Sequence, residues 1–469
     1  MACTTVVVGK KATIDGSTIN GRNMDTFGPY DPQKVVVVPV KEKQTGSYLS
    51  NKNGFTFDYP ATAYRYQLVP NVNIKEEGIY GESGFNEKDV AMSATESFYA
   101  NPRVLACDPL VKNGMAEDSI MVAVLPYIHS ARHGVEYLGK MIEEKGSAEG
   151  NGVIFSDADE IWYMEILTGH HWVARRIPDD CYAVIANQIA IETVDFQDKN
   201  QFLYSEGIEN FVQKNHLNPD RDGFNVRHIF GTNVELDRHY NYPRVWYGQK
   251  CFNPEINQSP DDSNMPMCRR PSRLLSVDDV SYVLSSHYNG TVYDPYGGGK
   301  ESDRLKYRPI GLNRTQNSHI LQYRNAVAGK QKAIMWVCLG VPEYTPYFPF
   351  FAQATETHPS FAQTKMTWNM DDAYWFYRTV TALVEGHYDV HEPMAVKYLT
   401  KAKETIQHLL HDIDQQAKDS EGEALATILN KGQADIIQQM KEQTLTFMGE
   451  LVNSSLNQSK LTYKMDPSL

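Results

Sequence analysis

Cys3 stands two residues from the start of the sequence, directly before the β-branched run at residues 4–8. Were Met1 and Ala2 lost, one residue would carry both a thiol and a free α-amine, a nucleophile with its own base. An unperturbed α-amino group titrates at about 7.7–8.0 and a cysteine thiol at about 8.5, so at neutral pH the amine can accept the thiol proton. No histidine is required. The alternative is that Cys3 is a small buried apolar residue, the common fate of a cysteine. Arg22 and Asp25, in Arg22-Asn23-Met24-Asp25, weigh toward chemistry. If the first strand turns back across residues 14–17, this stretch returns beside Cys3. There the arginine would favour a thiolate and the aspartate could hold the new ammonium group. A surface ion pair is the alternative. Asn187, in Ala186-Asn187-Gln188 at the end of a strand-like run, is placed where a side-chain amide can point at a developing oxyanion.

The elements that must position these residues are legible in outline. Residues 4–8, closed by Gly9, read as a strand. The continuous apolar run at 35–40 reads as a strand covered on both faces. Turn chemistry at 84–89 precedes a strand at 90–94. Apolar runs at 153–155, 161–167, 172–177 and 181–186, separated by polar and glycine turns, read as an antiparallel meander whose last strand ends at Asn187. Ala131, Val135, Leu138 and Ile142 recur at steps of 4, 3 and 4 before Gly146, which predicts an amphipathic helix over 130–145. About 200–310 reads as long loops with short helices, and 333–340 as a buried strand. After about 367 the chain turns helical and closes with two long helices, packed on the main body or on a sister subunit. Sheets and helices interleave without βαβ regularity, which gives a layered α+β class with mainly antiparallel sheets.

Composition sets the partners. Against 45 Lys and Arg stand 58 Asp and Glu, a net charge of −13, which argues against nucleic acid or an anionic membrane surface. With 41% hydrophobic and 22% charged residues the chain buries a core and is not disordered. No uninterrupted apolar run reaches the ~18 residues of a membrane span. Six cysteines without a CxxC pair suggest neither a disulfide framework nor a zinc site, and a reducing, cytoplasmic home is expected. The first residues lack the pattern of a secretory signal. Gly297-Gly298-Gly299-Lys300 fails as a phosphate loop because Asp294 stands where its first glycine belongs and Glu301 follows the lysine. His170 and His171, on opposite faces of an extended segment, and the helical pair His408 and His411 read as structural or solvated residues. No metal and no cofactor are expected.

The opening residues 2–12, with Asp15-Gly16-Ser17-Thr18 and Arg22-Asn23-Met24-Asp25, resemble the dipeptidase A family of lactic-acid bacteria. This is a cysteine-dependent branch of the N-terminal nucleophile hydrolases, with penicillin V acylase, bile salt hydrolases and the secernins as distant relatives. The likeness extends through Gly81-Glu82-Ser83-Gly84, Ala94-Thr95-Glu96-Ser97, Ala116-Glu117-Asp118-Ser119, Glu149-Gly150-Asn151-Gly152, Pro243-Arg244-Val245-Trp246 and Trp336-Val337-Cys338. It implies a four-layer αββα sandwich over 1–366, with loop insertions around 200–310 and a helical segment at 367–469. It implies Cys3 as nucleophile after loss of the short leader Met1-Ala2, with Arg22, Asp25 and Asn187 as the other catalytic residues; no external protease site is evident, so self-processing by attack of Cys3 on the preceding carbonyl is expected. Dipeptides are the implied substrates and a homo-oligomer the implied assembly. Where the acylase relatives carry a second asparagine this chain has Glu96, and a glutamate suits a substrate ammonium better than an oxyanion. Thr95 beside it and Arg244, matched to a later site arginine, complete the expected substrate-binding set. The rival readings are an amide hydrolase of penicillin V acylase or bile salt hydrolase type, and a non-catalytic protein of secernin type.

Overall fold

The computed structural model describes residues 2–28 and 30–460 and, at Ala2, Thr95 and Glu96, the backbone only. In chain order the strands of its two large sheets are β1 (Ala2–Val8), β2 (Thr18–Asp25), β3 (Ser83–Phe85), β4 (Ala91–Phe98), β5 (Gly150–Ser156), β6 (Ile161–Ile166), β7 (Trp172–Arg176), β8 (Tyr182–Ile185), β9 (Phe202–Tyr204), β10 (Cys268–Arg269), β11 (Thr315–Tyr323), β12 (Ala333–Cys338) and β13 (Phe348–Phe351). The first sheet is ordered β10-β8-β1-β2-β11-β12-β13 and the second β9-β7-β6-β5-β4-β3. Every neighbouring pair is antiparallel.

Strand alternation assigns the layers. Along β1, Val7 enters a core shared with Ile154, Tyr163 and Val173 of the second sheet. Val6 and Val8 instead join Val245 and Trp246 of helix α3 (Tyr242–Phe252) and Val280 and Leu284 of α4 (Val277–Ser285), numbering α1 (Glu117–Val124) and α2 (Ala131–Lys145) before them. The far face of the second sheet, Met92, Val153, Phe155 and Trp162, packs on Ile120 and Val124 of α1 and Val135, Leu138 and Ile142 of α2. Successive side chains of a strand point to opposite faces, so the molecule is layered helix, sheet, sheet, helix. This is the αββα sandwich expected from the sequence.

Helix α2 matches its expected span. Ser130 caps it by accepting the His133 backbone N–H. Two glycines inside it have a packing reason: a Cβ at Gly134 would lie 2.4 Å from Phe155 Cδ1, and one at Gly139 2.3 Å from Trp172 Cζ2. Their absence of side chain lets the helix axis approach the sheet, at about 1 kcal/mol of helix propensity each. At the other end, α5 (Ala373–Glu385), α6 (Tyr388–Ala417) and α7 (Gly422–Asn457) bury Ala402, Ile406, Leu410, Leu429, Ile436 and Met440 in the core that covers the first sheet. Gln433 accepts the Phe351 backbone N–H at 2.7 Å, tying α7 to edge strand β13.

Two expectations are corrected. The run at 35–40 yields only a half-buried strand, Val36–Val38, paired with Tyr66–Leu68 in a peripheral two-stranded sheet. It is therefore not covered on both faces, and Val40 is exposed. The segment 181–186 does not close the meander either. Its strand β8 crosses to the first sheet and pairs with β1, Thr5 opposite Ile185 and Val8 opposite Tyr182. That crossing decides where Asn187 goes.

Candidate active site

The β1–β2 ladder sets Cys3 opposite Met24 and Thr5 opposite Arg22. Residues directly opposite share a face, so Cys3 and Arg22 both project between the sheets. Arg22 Nη2 donates to Cys3 Sγ at 3.1 Å, and Nη1 donates to Glu82 Oε2 at 2.8 Å. Glu117 Oε1 lies 3.9 Å from the same guanidinium. Cys3 and Arg22 have no exposed surface, and Glu82 only 1%. Burial pushes the Glu82 carboxyl upward, and Glu117 adds to the rise while Arg22 opposes it. Glu82 also holds a left-handed backbone, φ 23°, at the mouth of β3, a conformation non-glycine residues keep where surrounding structure enforces it.

Asn187 follows β8 directly and meets β1 from its other side. Its Oδ1 accepts the Cys3 backbone N–H at 3.2 Å, and its Nδ2 donates to the Ser97 carbonyl at 2.8 Å. Arg244, buried on α3, reaches the same group. Nη2 donates to Asn187 Oδ1 at 2.8 Å, and Nη1 donates to Thr4 Oγ1 at 2.9 Å and to the Cys3 carbonyl. Asp25 lies on the helical side of the ladder, where its carboxylate accepts from Arg308 and from Thr315 Oγ1. Arg22 and Asp25 are thus both fully buried and answer to different partners, rather than forming a surface pair. Tyr240 lies beneath both other arginines, 4.8 Å from Arg244 and 5.4 Å from Arg308.

A cavity of about 420 Å³ adjoins these groups, with Ser97, Glu149, Asn187 and Tyr240 among its polar lining and Phe98 and Leu167 among its apolar lining. Glu149 Oε1 accepts the Glu117 backbone N–H at 2.7 Å. Burial raises the Glu149 carboxyl and Glu117 raises it further, against the pull of that N–H.

Of the residues expected from the sequence, the structure brings together Cys3, Arg22, Asn187 and Arg244, with Asp25 on the adjoining face. The side chains of Thr95 and Glu96 lie outside the described residues; their backbone forms a β-bulge in β4, where the register with β5 shifts between Ala94 and Glu96. Glu82, Glu117, Glu149 and Arg308 were not assigned a role in the sequence. Three of the four fall inside the segments that carried the resemblance, so the signal was present without a partner to interpret it. Behind Arg22, His319 is held by Ser93 Oγ at 2.8 Å and Asn317 Oδ1 at 3.0 Å. Burial first and Arg22 second push its pKa well down, so it is a neutral structural imidazole. His170 and His171 bind Asp108 and Ser205 separately, and among the described residues no group of three or more His, Cys, Asp or Glu could hold a metal ion. Cys338 is buried and Cys181, Cys251 and Cys268 half-buried, as packing residues should be, but Cys107 is exposed and is not one.

The family model of peptidase family C69 matches residues 2–401. The chain belongs to that family and is a peptidase. It is 47% identical to a probable dipeptidase of Latilactobacillus sakei, over 100% of this chain and 98% of that protein. It is 36% identical to dipeptidase A of Lactobacillus helveticus, over 99% and 98% of the two chains. A solved structure of a mutant conjugated bile acid hydrolase from Clostridium perfringens matches with a TM-score of 0.30 at 10% identity, covering 75% of this chain and 92% of that one. Among the described residues no helix is long and apolar enough to cross a membrane.

Proposed function

We propose that the protein is a dipeptidase that works through a thioester on Cys3, once removal of Met1 and Ala2 makes that residue N-terminal. The Cys3 sulfur bonds to the carbonyl carbon of the dipeptide, and the freed α-amine takes the thiol proton and passes it to the departing amino acid. Water then breaks the C–S bond, releasing the first amino acid and restoring the thiol. The observation that carries this reading is the 3.1 Å contact between Arg22 Nη2 and Cys3 Sγ, both without exposed surface, which favours thiolate over thiol. Asn187 serves the oxyanion through Nδ2, one proton of which goes to the Ser97 carbonyl, and Arg244 fixes its Oδ1 and the Cys3 carbonyl in place. Asp25, at the register position of Ala2, serves the new ammonium group with Arg308 as its counter-ion. The names of the 47% and 36% identical relatives support dipeptides as substrates.

Cys3 has no exposed surface while Ala2 precedes it, which favours processing before turnover. Attack of Cys3 on the Ala2 carbonyl would release the leader without another protease. A cytoplasmic location accords with six cysteines of which none is bridged. Self-association accords with Leu445, Val452 and Leu456, which are exposed at steps of 7 and 4 along α7. Intact-mass measurement with a dipeptide assay tests the reading. The active wild type should begin at Cys3, and Cys3→Ala should keep its leader and hydrolyse nothing. Full activity in a chain that still carries Met1 or Ala2 would overturn the role of the amine.

A further inference from the structure

We infer that Glu149 is the residue that receives the substrate's free α-ammonium group, which makes the cavity beside Asn187 selective for unblocked dipeptides. The inference rests on the dipeptidase reading and names the group that recognises its substrate. Three observations lead to it. The cavity holds about 420 Å³, room for a short peptide, two extended residues spanning roughly 7 Å. Its apolar wall includes Phe98, Leu105, Leu110 and Leu167, and among the described residues Glu149 is the carboxylate within its lining. Glu149 is joined to the nucleophile by a short chain of contacts. Its Oε1 accepts the Glu117 N–H, Glu117 Oε2 accepts from Ser97 Oγ at 3.2 Å, and the Ser97 carbonyl accepts from Asn187, which holds Cys3.

Charge argues the same way. Glu82 and Glu117 already face the guanidinium of Arg22. Glu149 stands one step farther out, with one oxygen committed to a backbone N–H. A substrate ammonium would balance its charge in a half-buried, apolar-walled cleft, where an unpaired carboxylate is costly. The α-nitrogen of a dipeptide is separated from the scissile carbonyl by one carbon. An ammonium on Glu149 therefore fixes how far the carbonyl lies from Cys3.

The test compares free dipeptides with their N-acetylated forms in wild type, Glu149→Gln, Glu149→Asp and Glu96→Gln. Glutamine keeps a carbonyl oxygen for the Glu117 N–H, so helix α1 stays capped and the fold is preserved. Glu149→Gln should raise KM for free dipeptides about 10-fold or more, leave the poor turnover of N-acetyl dipeptides within about 2-fold, and so collapse the preference for the free amine. Glu149→Asp should restore part of the preference. Equal loss on both substrate forms, or collapse of the preference in Glu96→Gln with Glu149→Gln unaffected, overturns the inference while leaving the dipeptidase reading intact. Wild-type enzyme that cleaves no dipeptide refutes that reading instead.

Discussion

Replacing Arg22 separates the electrostatics of Cys3 from everything else at the site. At 3.1 Å a guanidinium and a thiolate attract by about 5 kcal/mol at an effective dielectric of 20, equivalent to about four pKa units at 1.36 kcal/mol each. Glu82 at 2.8 Å and Glu117 at 3.9 Å draw on the same positive charge, so the net effect falls in the range of about 1–3 units usual for one opposite charge nearby. Arg22→Met alone would leave Glu82 buried without its cation, at a cost of about 3–5 kcal/mol. The informative variant is therefore Arg22→Met with Glu82→Gln, which removes the closer ion pair together and leaves Glu117 in place. In this double variant Cys3 loses the cation that favours its thiolate. Its alkylation by iodoacetamide at pH 7 should slow by about 10-fold to 1000-fold. Peptide-resolved mass spectrometry across pH 5–10 reads Cys3 apart from exposed Cys107, and near-UV circular dichroism checks the fold. A Cys3 alkylation rate at pH 7 within about 2-fold of wild type in a folded double variant would refute the argument.

Two further outcomes concern the frame. His287 lies between Asp294 at 2.7 Å and Glu343 at 3.2 Å. Burial disfavours its imidazolium, but the two carboxylates prevail and raise its pKa from 6.5 to about 9. A raised basic pKa stabilises the fold fully below the unfolded value and loses that contribution as pH climbs through the folded one. Thermal unfolding of wild type should thus weaken between pH 6.5 and about 9, and His287→Gln should flatten that slope, destabilising most near pH 6. Gly139→Ala gains helix propensity but drives a methyl to 2.3 Å from Trp172. Overpacking should win by about 1–3 kcal/mol in denaturant unfolding, with dipeptide turnover at saturation unchanged.

The sequence was most informative where period and spacing are local. The 4, 3, 4 rhythm of Ala131, Val135, Leu138 and Ile142 produced a helix at its expected place, and the return of Arg22 toward Cys3 followed from one hairpin. What failed was long-range pairing. The run at 181–186 reads like the strands before it, and nothing local reveals that β8 leaves them to lie beside β1. Residues 35–40 failed for the related reason that an apolar run does not report which surfaces cover it. Glu82 and Glu117 went unassigned because a carboxylate's role here depends on Arg22, 60 and 95 positions away in the chain.

The ladder's end also explains why the site can sit on the chain's first strand without compromising it. β1 pairs with β2 from Ala2 to Val8, but with β8 only from Thr5 onward. Cys3 therefore faces, on its β8 side, the place where strand pairing has stopped, and Asn187 takes its N–H there in place of a strand carbonyl. Loss of Met1 and Ala2 would remove one register position of β1, Ala2 opposite Asp25, and leave the pairs from Cys3 to Val8 and the buried valines on both faces intact. A new α-amine would then form within reach of a side-chain carbonyl that already accepts the Cys3 backbone nitrogen. The geometry that holds the strand in the sheet is the same geometry that would orient the amine beside its thiol.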